Sequence, residues 1–272
     1  LTPVLQNWIY GMMEATEGKV KAWDVVNESI SGKDIDGDGY YDPWSVTRGT
    51  VESAEDAKNN FYWQDYLGDL DYVRTAVAAA RKGFADAGGK PEELKLFIND
   101  YNLETAYDDN KKLKSLIHWI EEWEKDGVTK IDGIGSQMHV TCSMDPAKQK
   151  ENEEAYVNML NLMVGSQKLV RISELDMGLE VKKDGKDILV NTTDMTEEQH
   201  KAMRAYYEFI VKKYLEIVPK EQQWGICQWC ATDSPANSGW RAGLPVGLWD
   251  LDYYRKHTYG GFAAGLGAPE YW

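Results

Sequence analysis

The sequence of 272 residues is poor in cysteine, in basic residues and in long apolar runs, and each shortage excludes a class of protein. Three cysteines are too few for a disulfide framework, and the single CQWC pair lacks the second pair or the histidines that a zinc site needs. No apolar run approaches the roughly 18 residues that span a bilayer, which excludes a transmembrane helix. The 45 acidic residues outnumber the 30 basic ones, and the net charge of −15 disfavours nucleic acid as a partner.

The cysteines themselves are predicted to be unbonded. If Cys227 and Cys230 lie on one strand, a spacing of three places them on opposite faces. Side chains that point away from each other cannot form a disulfide. We expect them, and Cys142, to fill the core.

The aromatic composition is skewed, with 11 Trp and 16 Tyr against 5 Phe. Trp and Tyr combine an apolar face with a polar tip, which suits a cleft where sugar rings stack and hydroxyl groups are hydrogen-bonded. A large core rich in Trp would give the same counts. The skew alone leaves both interpretations open.

Short apolar runs alternate with amphipathic stretches along the whole chain. The runs are typical of buried strands and cover 20–28, 94–102, 131–140, 169–177 and 223–232, and the predicted helices cover 64–87, 110–127, 148–164 and 196–218. Thr196 with Gln199 forms a capping box at the start of the last helix. Strands that are apolar on both faces and alternate with helices predict an α/β fold with a parallel sheet, in one domain without a linker.

The position of the polar residues favours a barrel over an open sheet. Each strand ends in polar residues, in the order NE, NDYN, QMH and SELD, followed by the stretch after QWC. In a (β/α)8 barrel these carboxyl ends converge on one face and carry the active site. The motifs GxGxxG, GxxxxGK[ST] and GxSxG are absent, so dinucleotide, P-loop and serine-hydrolase functions lack their signatures.

Glu28 and Glu174 are the candidate catalytic pair, because each ends an otherwise apolar strand. Two carboxyl groups are the minimum for glycoside hydrolysis, one protonated and one ionised. Asp176 faces the same side of its strand as Glu174, and His139 ends another strand, so an imidazole partner is expected to keep Glu174 ionised. The apolar run WDVV before Glu28 is expected to desolvate that carboxyl and favour its acid form.

Five motifs resemble glycoside hydrolase family 10, whose members are endo-β-1,4-xylanases with a (β/α)8 barrel. WDVVNES (23–29) resembles the acid/base motif and ISELDM (172–177) the nucleophile strand. LFINDYN (96–102) is similar to the fifth strand, GIGSQMH (133–139) to the sixth, and GICQWCATDSPANSGWR (225–241) to the eighth strand and its long loop. The motifs follow the family's order from one end of the chain almost to the other.

The resemblance implies hydrolysis of xylan with retention of configuration through a covalent glycosyl-enzyme. It implies that Glu28 is the acid/base and Glu174 the nucleophile, and that His139 and Asp176 orient Glu174. It also implies substrate contacts, in which Asn27 would bind the 2-hydroxyl group and Trp229 and Trp240 would enclose the sugar rings. The remaining implied substrate-binding residues are Gln137, Tyr101 and Asn102.

Two alternative functions remain open on the same residues. The same carboxyl groups would serve a retaining β-1,4-glucanase or mixed-linkage glucanase, and a barrel that has lost its catalysis would bind xylan without cleaving it. No cofactor is expected. A polymeric substrate that cannot enter a cell implies a secreted, periplasmic or cell-surface enzyme, although no signal peptide is visible.

An acidic loop is a second candidate site. DIDGDGYYD places Asp34, Asp36 and Asp38 at alternate positions before Gly39, like the start of a calcium loop. Position twelve of that template is Ser45, which cannot act as the bidentate carboxylate, so an acidic surface turn is favoured over calcium binding.

The first three strands of the family's barrel have no counterpart in this sequence. The chain is therefore expected to be the C-terminal part of a single catalytic barrel, supplying about strands four to eight and the helix before them. We expect another segment, in cis or as a second chain and possibly with an inserted carbohydrate-binding module, to supply the rest, and residues 1–272 alone to be inactive or to aggregate.

Overall fold

The computed structural model describes residues 1–269, which divide into two compact units. Unit 1 comprises Leu1–Asp100 and Lys111–Gly135, and unit 2 comprises Tyr101–Asn110 and the chain from Ser136 onward. Within the described range, no helix is both long and apolar enough to span a membrane.

Unit 1 alternates helices and parallel strands. Its sheet runs in the order β1-β2-β3, and β1 pairs with β2 in parallel. Its elements are α1 (Thr2–Ala15), β1 (Ala22–Asn27), α2 (Asp56–Asn59), α3 (Gln64–Leu67), α4 (Asp71–Asp86), β2 (Lys95–Asp100), α5 (Lys111–Glu124) and β3 (Gly133–Ser136). Helix α4 packs on α1, and a Cβ atom at Gly83 would lie 2.9 Å from Cδ1 of Tyr10, so the glycine lets the two helices approach closely.

Unit 2 is organised around one long strand. Strand β5 pairs in parallel with β4 and β7 and antiparallel with β6. Its elements are β4 (His139–Ser143), α6 (Pro146–Gly165), β5 (Leu169–Lys183), β6 (Lys186–Leu189), α7 (Glu197–Ile217), β7 (Gln223–Gln228) and α8 (His257–Gly265). The predicted capping box at Thr196 and Gln199 begins α7.

The α/β class predicted from the sequence is confirmed, but two elements differ from the expected pattern. The run 131–140 forms two strands, β3 and β4, because Met138 adopts a positive φ of 57° between them. Strand β5 continues past residue 177 into a hairpin with β6. Its turn is Asp184-Gly185, both with positive φ, as a type I′ turn requires.

Two glycines of β3 make room for side chains from β2. A Cβ atom at Gly133 would lie 2.1 Å from the Phe97 ring, and one at Gly135 would lie 2.4 Å from Oδ1 of Asn99. Real Cβ atoms do not approach neighbours so closely. The sequence GIG therefore allows Asn99 to lie where it bonds to the end of β1.

The expectation that all five strands are buried is wrong for β1 and β7. Strand β2 is almost fully buried, whereas β1 and β7 alternate between half-buried and exposed residues. Among the described residues, β1 is hydrogen-bonded in the sheet to β2 alone and β7 to β5 alone. A strand paired on one side leaves the N–H and C=O groups of its other edge uncovered. Trp224 on β7 is exposed as well.

The expectation that the cysteines fill the core is met by Cys142 but not by Cys227, which is exposed on β7. None of the three is bonded. Burial, together with the nearby Glu153 and Glu180 carboxylates, raises the pKa of the Cys142 thiol to about 12. Burial and the Asp176 carboxylate raise the pKa of Cys230 to about 12 as well.

We predict that one of the three thiols reacts rapidly with a disulfide reagent at pH 8 in the folded protein. The thiolate is the reactive form, so the thiols of Cys142 and Cys230 are almost wholly unreactive at that pH, whereas Cys227 is accessible. Reagent titration with mass mapping measures this, and Cys227→Ser is the control that should abolish the rapid phase. Rapid reaction of two or three thiols would contradict the prediction. After unfolding in urea, all three thiols should react rapidly.

Candidate active site

Glu174 lies on β5 among buried apolar side chains that anchor the strand. Val170, Ile172 and Leu175 are fully buried, and Glu174 is half-buried between them. The register of β5 against β7 slips between Ile172 and Leu175, so Glu174 lies in a strand irregularity. Such irregularities redirect side chains, and they occur often beside active sites.

His139 links Glu174 to Asp176. The Nε2 atom of His139 lies 3.3 Å from Oε2 of Glu174, and its Nδ1 atom lies 3.2 Å from Oδ1 of Asp176. The distance from Nδ1 to Oδ1 is that of an ion pair, but the geometry is not that of a hydrogen bond. The parallel register of β4 and β5 pairs His139 directly with Asp176, which fixes the imidazole between the two carboxylates. The structure therefore brings together three of the residues selected from the sequence.

Asp176 is completely buried and is compensated by two strong donors. Arg241 Nη1 donates to Oδ1 over 2.9 Å, and Trp240 Nε1 donates to Oδ2 over 2.7 Å. The thiol of Cys230 lies 3.7 Å from the same Oδ2. A buried carboxylate without such partners would be strongly destabilising, so these contacts are what keep Asp176 beside His139.

Arg241 is a site residue that the sequence reading did not select. Its guanidinium also donates to the carbonyl of Val140 over 3.0 Å, so it ties the loop that carries Trp240 to both Asp176 and β4. The backbone of Arg241 has a positive φ of 43°. Its only sequence signal is its position directly after Trp240 in SGWR.

Two tryptophans flank His139. The ring centroid of Trp240 lies 4.5 Å from that of His139, and the Trp229 centroid lies 6.0 Å away. Trp229 is 54% exposed and Trp240 is 40% exposed. Both rings therefore present faces on which a sugar could stack.

A polar cavity of about 750 Å³ lies beside His139 within unit 2. Amide and carboxylate side chains dominate its lining, which suits a ligand with many hydroxyl groups. They include Asn102, Glu104, Asn152, Asn158 and Glu180. Of the other predicted substrate-binding residues in this unit, Gln137 is buried and Tyr101 is half-buried.

The other predicted carboxylate, Glu28, lies in unit 1 directly after β1. Its backbone N–H donates to the carbonyl of Asn99 over 2.7 Å, and its φ is +55°. Oδ1 of Asn27 accepts a hydrogen bond from Nδ2 of Asn99 over 2.8 Å. The expectation that apolar neighbours desolvate Glu28 is wrong, because Glu28 lies beyond the strand end and is exposed.

The acidic loop brings Asp34, Asp36 and Asp38 together, with ligand oxygens within 4.8 Å of one another. Asp34 already accepts hydrogen bonds from Lys111 over 3.0 Å and from the N–H groups of Gly37 and Gly39. These bonds, the one from Lys111 above all, lower the pKa of Asp34. The Lys111 ammonium group occupies a position where it would repel a bound cation, so the residues fit calcium poorly.

Comparison with known proteins identifies relatives over nearly the whole chain. The profile of "Glycosyl hydrolase family 10" matches residues 1–264. An endo-1,4-beta-xylanase A of Thermotoga maritima is 27% identical over 259 residues, which are 95% of this chain and 20% of that protein. An endo-1,4-beta-xylanase 2 of Claviceps purpurea is 34% identical over 177 residues, which are 65% of this chain and 42% of that protein.

Solved structures show the same fold. Native xylanase 10C of Cellvibrio japonicus superposes with a TM-score of 0.72 at 23% identity, covering 98% of this chain and 51% of that one. The likeness confirms the (β/α)8-barrel fold class. The chain spans well under two thirds of the length of the curated relatives named above. With a family profile that matches residues 1–264, the chain belongs to glycosyl hydrolase family 10.

Proposed function

We propose that the protein containing this chain is an endo-β-1,4-xylanase that hydrolyses xylan by double displacement. The observation that carries the proposal is the Glu174–His139–Asp176 arrangement, in a chain of glycosyl hydrolase family 10. Its relatives include proteins named endo-1,4-beta-xylanase. A mutant of xylanase 10C from Cellvibrio japonicus has been solved in complex with xylopentaose.

Glu174 is proposed as the nucleophile. The carboxylate attacks the anomeric carbon while the bond from that carbon to the leaving oxygen breaks, which yields a glycosyl ester. His139 contacts the carboxylate, and the Arg241 cation compensates Asp176 behind it. This environment holds Glu174 in one orientation, as a nucleophile requires.

Glu28 is proposed as the acid/base. In the first step its proton passes to the leaving oxygen, and in the second its carboxylate takes a proton from water as the water oxygen attacks the anomeric carbon and the bond to Glu174 breaks. Neither step needs a cofactor. The hydrogen bond from Asn99 orients Asn27, the proposed ligand of the 2-hydroxyl group.

Substrate binding is assigned to the exposed aromatic rings and the polar cavity. Trp229 and Trp240 would stack on sugar rings, and Gln137, Tyr101 and Asn102 would bind hydroxyl groups. A substrate of this size implies an enzyme that acts outside the cytoplasm.

Chemical rescue tests the two catalytic roles. In the protein that contains residues 1–272, we expect Glu28→Ala to slow hydrolysis of a 2,4-dinitrophenyl xyloside about 10²- to 10⁴-fold, the usual contribution of general acid–base catalysis. Azide should restore turnover and give a β-linked glycosyl azide, because azide needs no general base. Glu174→Ala should form no glycosyl-enzyme. Mass spectrometry of the intermediate and product analysis measure both results.

A β-linked azide product from neither variant would overturn these roles. Reducing-sugar release from xylan, cellulose and mixed-linkage glucan separates the xylanase from a glucanase. A protein that binds xylan and releases sugar from none of the three polymers would be a binding protein. Assays of residues 1–272 with and without the other barrel strands, supplied in cis or as a second chain, test the expectation that the chain needs them.

The hydrogen bond between Trp240 and Asp176 gives a separate prediction about stability. Trp240→Phe keeps an aromatic face but removes the indole N–H that donates to the buried carboxylate. Hydrogen bonds to charged groups contribute about 1.5–3 kcal/mol, so the free energy of unfolding should fall by about that amount. Urea unfolding measures it.

Trp229→Phe is the matched control, since Trp229 makes a ring contact with His139 without donating to Asp176. It should lower the free energy of unfolding by less than 1 kcal/mol, as most substitutions at exposed positions do. Equal losses in the two variants would mean that the bond to Asp176 contributes nothing to stability.

A further inference from the structure

The backbone of the proposed acid/base is held in an unusual conformation. Glu28 has a φ of +55°, in the left-handed region that residues other than glycine rarely adopt. Such conformations persist when the surrounding structure fixes them, and they cluster at functional sites. The residues that fix Glu28 therefore control the direction of its carboxyl group.

Two hydrogen bonds from the end of β2 hold the chain on both sides of this residue. The N–H of Glu28 donates to the carbonyl of Asn99 over 2.7 Å. The N–H of Ile30 donates to Oδ2 of Asp100 over 3.0 Å. The first bond continues the strand pairing, but the second depends on one side chain.

The Asp100 side chain is buried against the ammonium group of Lys112. Its Oδ1 lies 2.8 Å from Nζ of Lys112, and the two side chains are 0% and 5% exposed. Removing one partner of a buried ion pair is costly, and two apolar residues often stabilise a core as well as the pair does. Stability alone therefore gives no reason for charged groups at this position, whereas the N–H of Ile30 needs the acceptor oxygen that Asp100 supplies.

At the opposite end of β2, away from Glu28, another carboxylate accepts a backbone hydrogen bond and pairs with a basic side chain. Oδ2 of Asp132 accepts a hydrogen bond from the N–H of Leu96 over 2.9 Å and lies 2.8 Å from Nη2 of Arg81. The Asp132 side chain is 6% exposed. This second pair is a matched control that distinguishes support of β2 from support of Glu28.

We propose that Asp100, held by Lys112, is a positioning residue for Glu28. By fixing the N–H of Ile30, Asp100 holds Glu28 in its left-handed conformation and directs the carboxyl group toward the leaving oxygen. This proposal rests on the acid/base role of Glu28 proposed above.

The test uses the double variant Asp100→Leu with Lys112→Met in the protein that contains residues 1–272, because leucine cannot accept the hydrogen bond from the N–H of Ile30. Removing both charges leaves no unpaired ammonium group in the core. For a phenyl xyloside, which needs protonation as it departs, we expect kcat/KM to fall about 10- to 100-fold, less than the 10²- to 10⁴-fold loss of the whole acid/base effect. For a 2,4-dinitrophenyl xyloside, the rate of glycosylation should change less than twofold, and azide should accelerate turnover.

The control variant Asp132→Leu with Arg81→Met removes the acceptor of the Leu96 N–H and should lower the free energy of unfolding in urea, but it should keep the wild-type dependence on the leaving group. Equal losses on the two xylosides in the Asp100 variant, or none, would overturn the proposal, as would a crystal structure with the φ of Glu28 unchanged. If the double variant does not fold, Asp100→Ala with Lys112→Met is measured in the same way. A wild-type protein that releases no reducing sugar from xylan would instead refute the proposed function.

Discussion

Burying the carboxylate of Asp176 is the constraint on which the arrangement of unit 2 depends. A charged group without contact to water must find positive or N–H partners in the protein, or it destabilises the fold by several kcal/mol. Asp176 finds them in Arg241 and Trp240, which belong to a loop more than sixty residues further along the chain. The same carboxylate lies beside His139 and so fixes the imidazole that contacts Glu174. One buried charge thus joins a strand, a long loop and the proposed nucleophile.

Unit 1 also contains a buried carboxylate that is paired with a basic side chain. Asp100 ends β2 as Asp176 follows the proposed nucleophile on β5, and each carboxylate is buried with a basic partner from another element. In both cases the buried charge lies beside a proposed catalytic glutamate, Glu28 after the end of β1 and Glu174 within β5. Strand ends carry many N–H groups whose partners are not set by the sheet, so a buried carboxylate there can orient backbone as well as side chains.

The sequence predicted what depends on local periodicity. Glu174 and Asp176 share a strand face because side chains alternate along a strand, and the apolar runs located the strands, although not the ends of β3, β4 and β5. Arg241 and Lys112 were missed because their partners are distant in sequence, and an arginine or lysine looks the same in a sequence whether it is solvated or paired with a buried carboxylate. The exposure of Glu28, β1 and β7 was missed because it depends on which edges of the sheet are paired. The hairpin of β5 and β6 had a readable signal in Asp184-Gly185, but the strand was assumed to end at its polar residues.

The aromatic composition shows why a count of residues cannot locate a site. Among the described residues, many of the large aromatic side chains lie in the core, where their polar tips bind backbone carbonyls: Trp123 donates to Asp69, Tyr156 to Ile210 and Tyr214 to Val170. Each of these bonds fixes a helix to a neighbouring element, a role that Phe cannot perform because it has no donor. The skew toward Trp and Tyr therefore reflects packing of helices to a large extent. The argument for a sugar-binding surface rests instead on position, since Trp229 and Trp240 are exposed and lie against the imidazole that contacts Glu174.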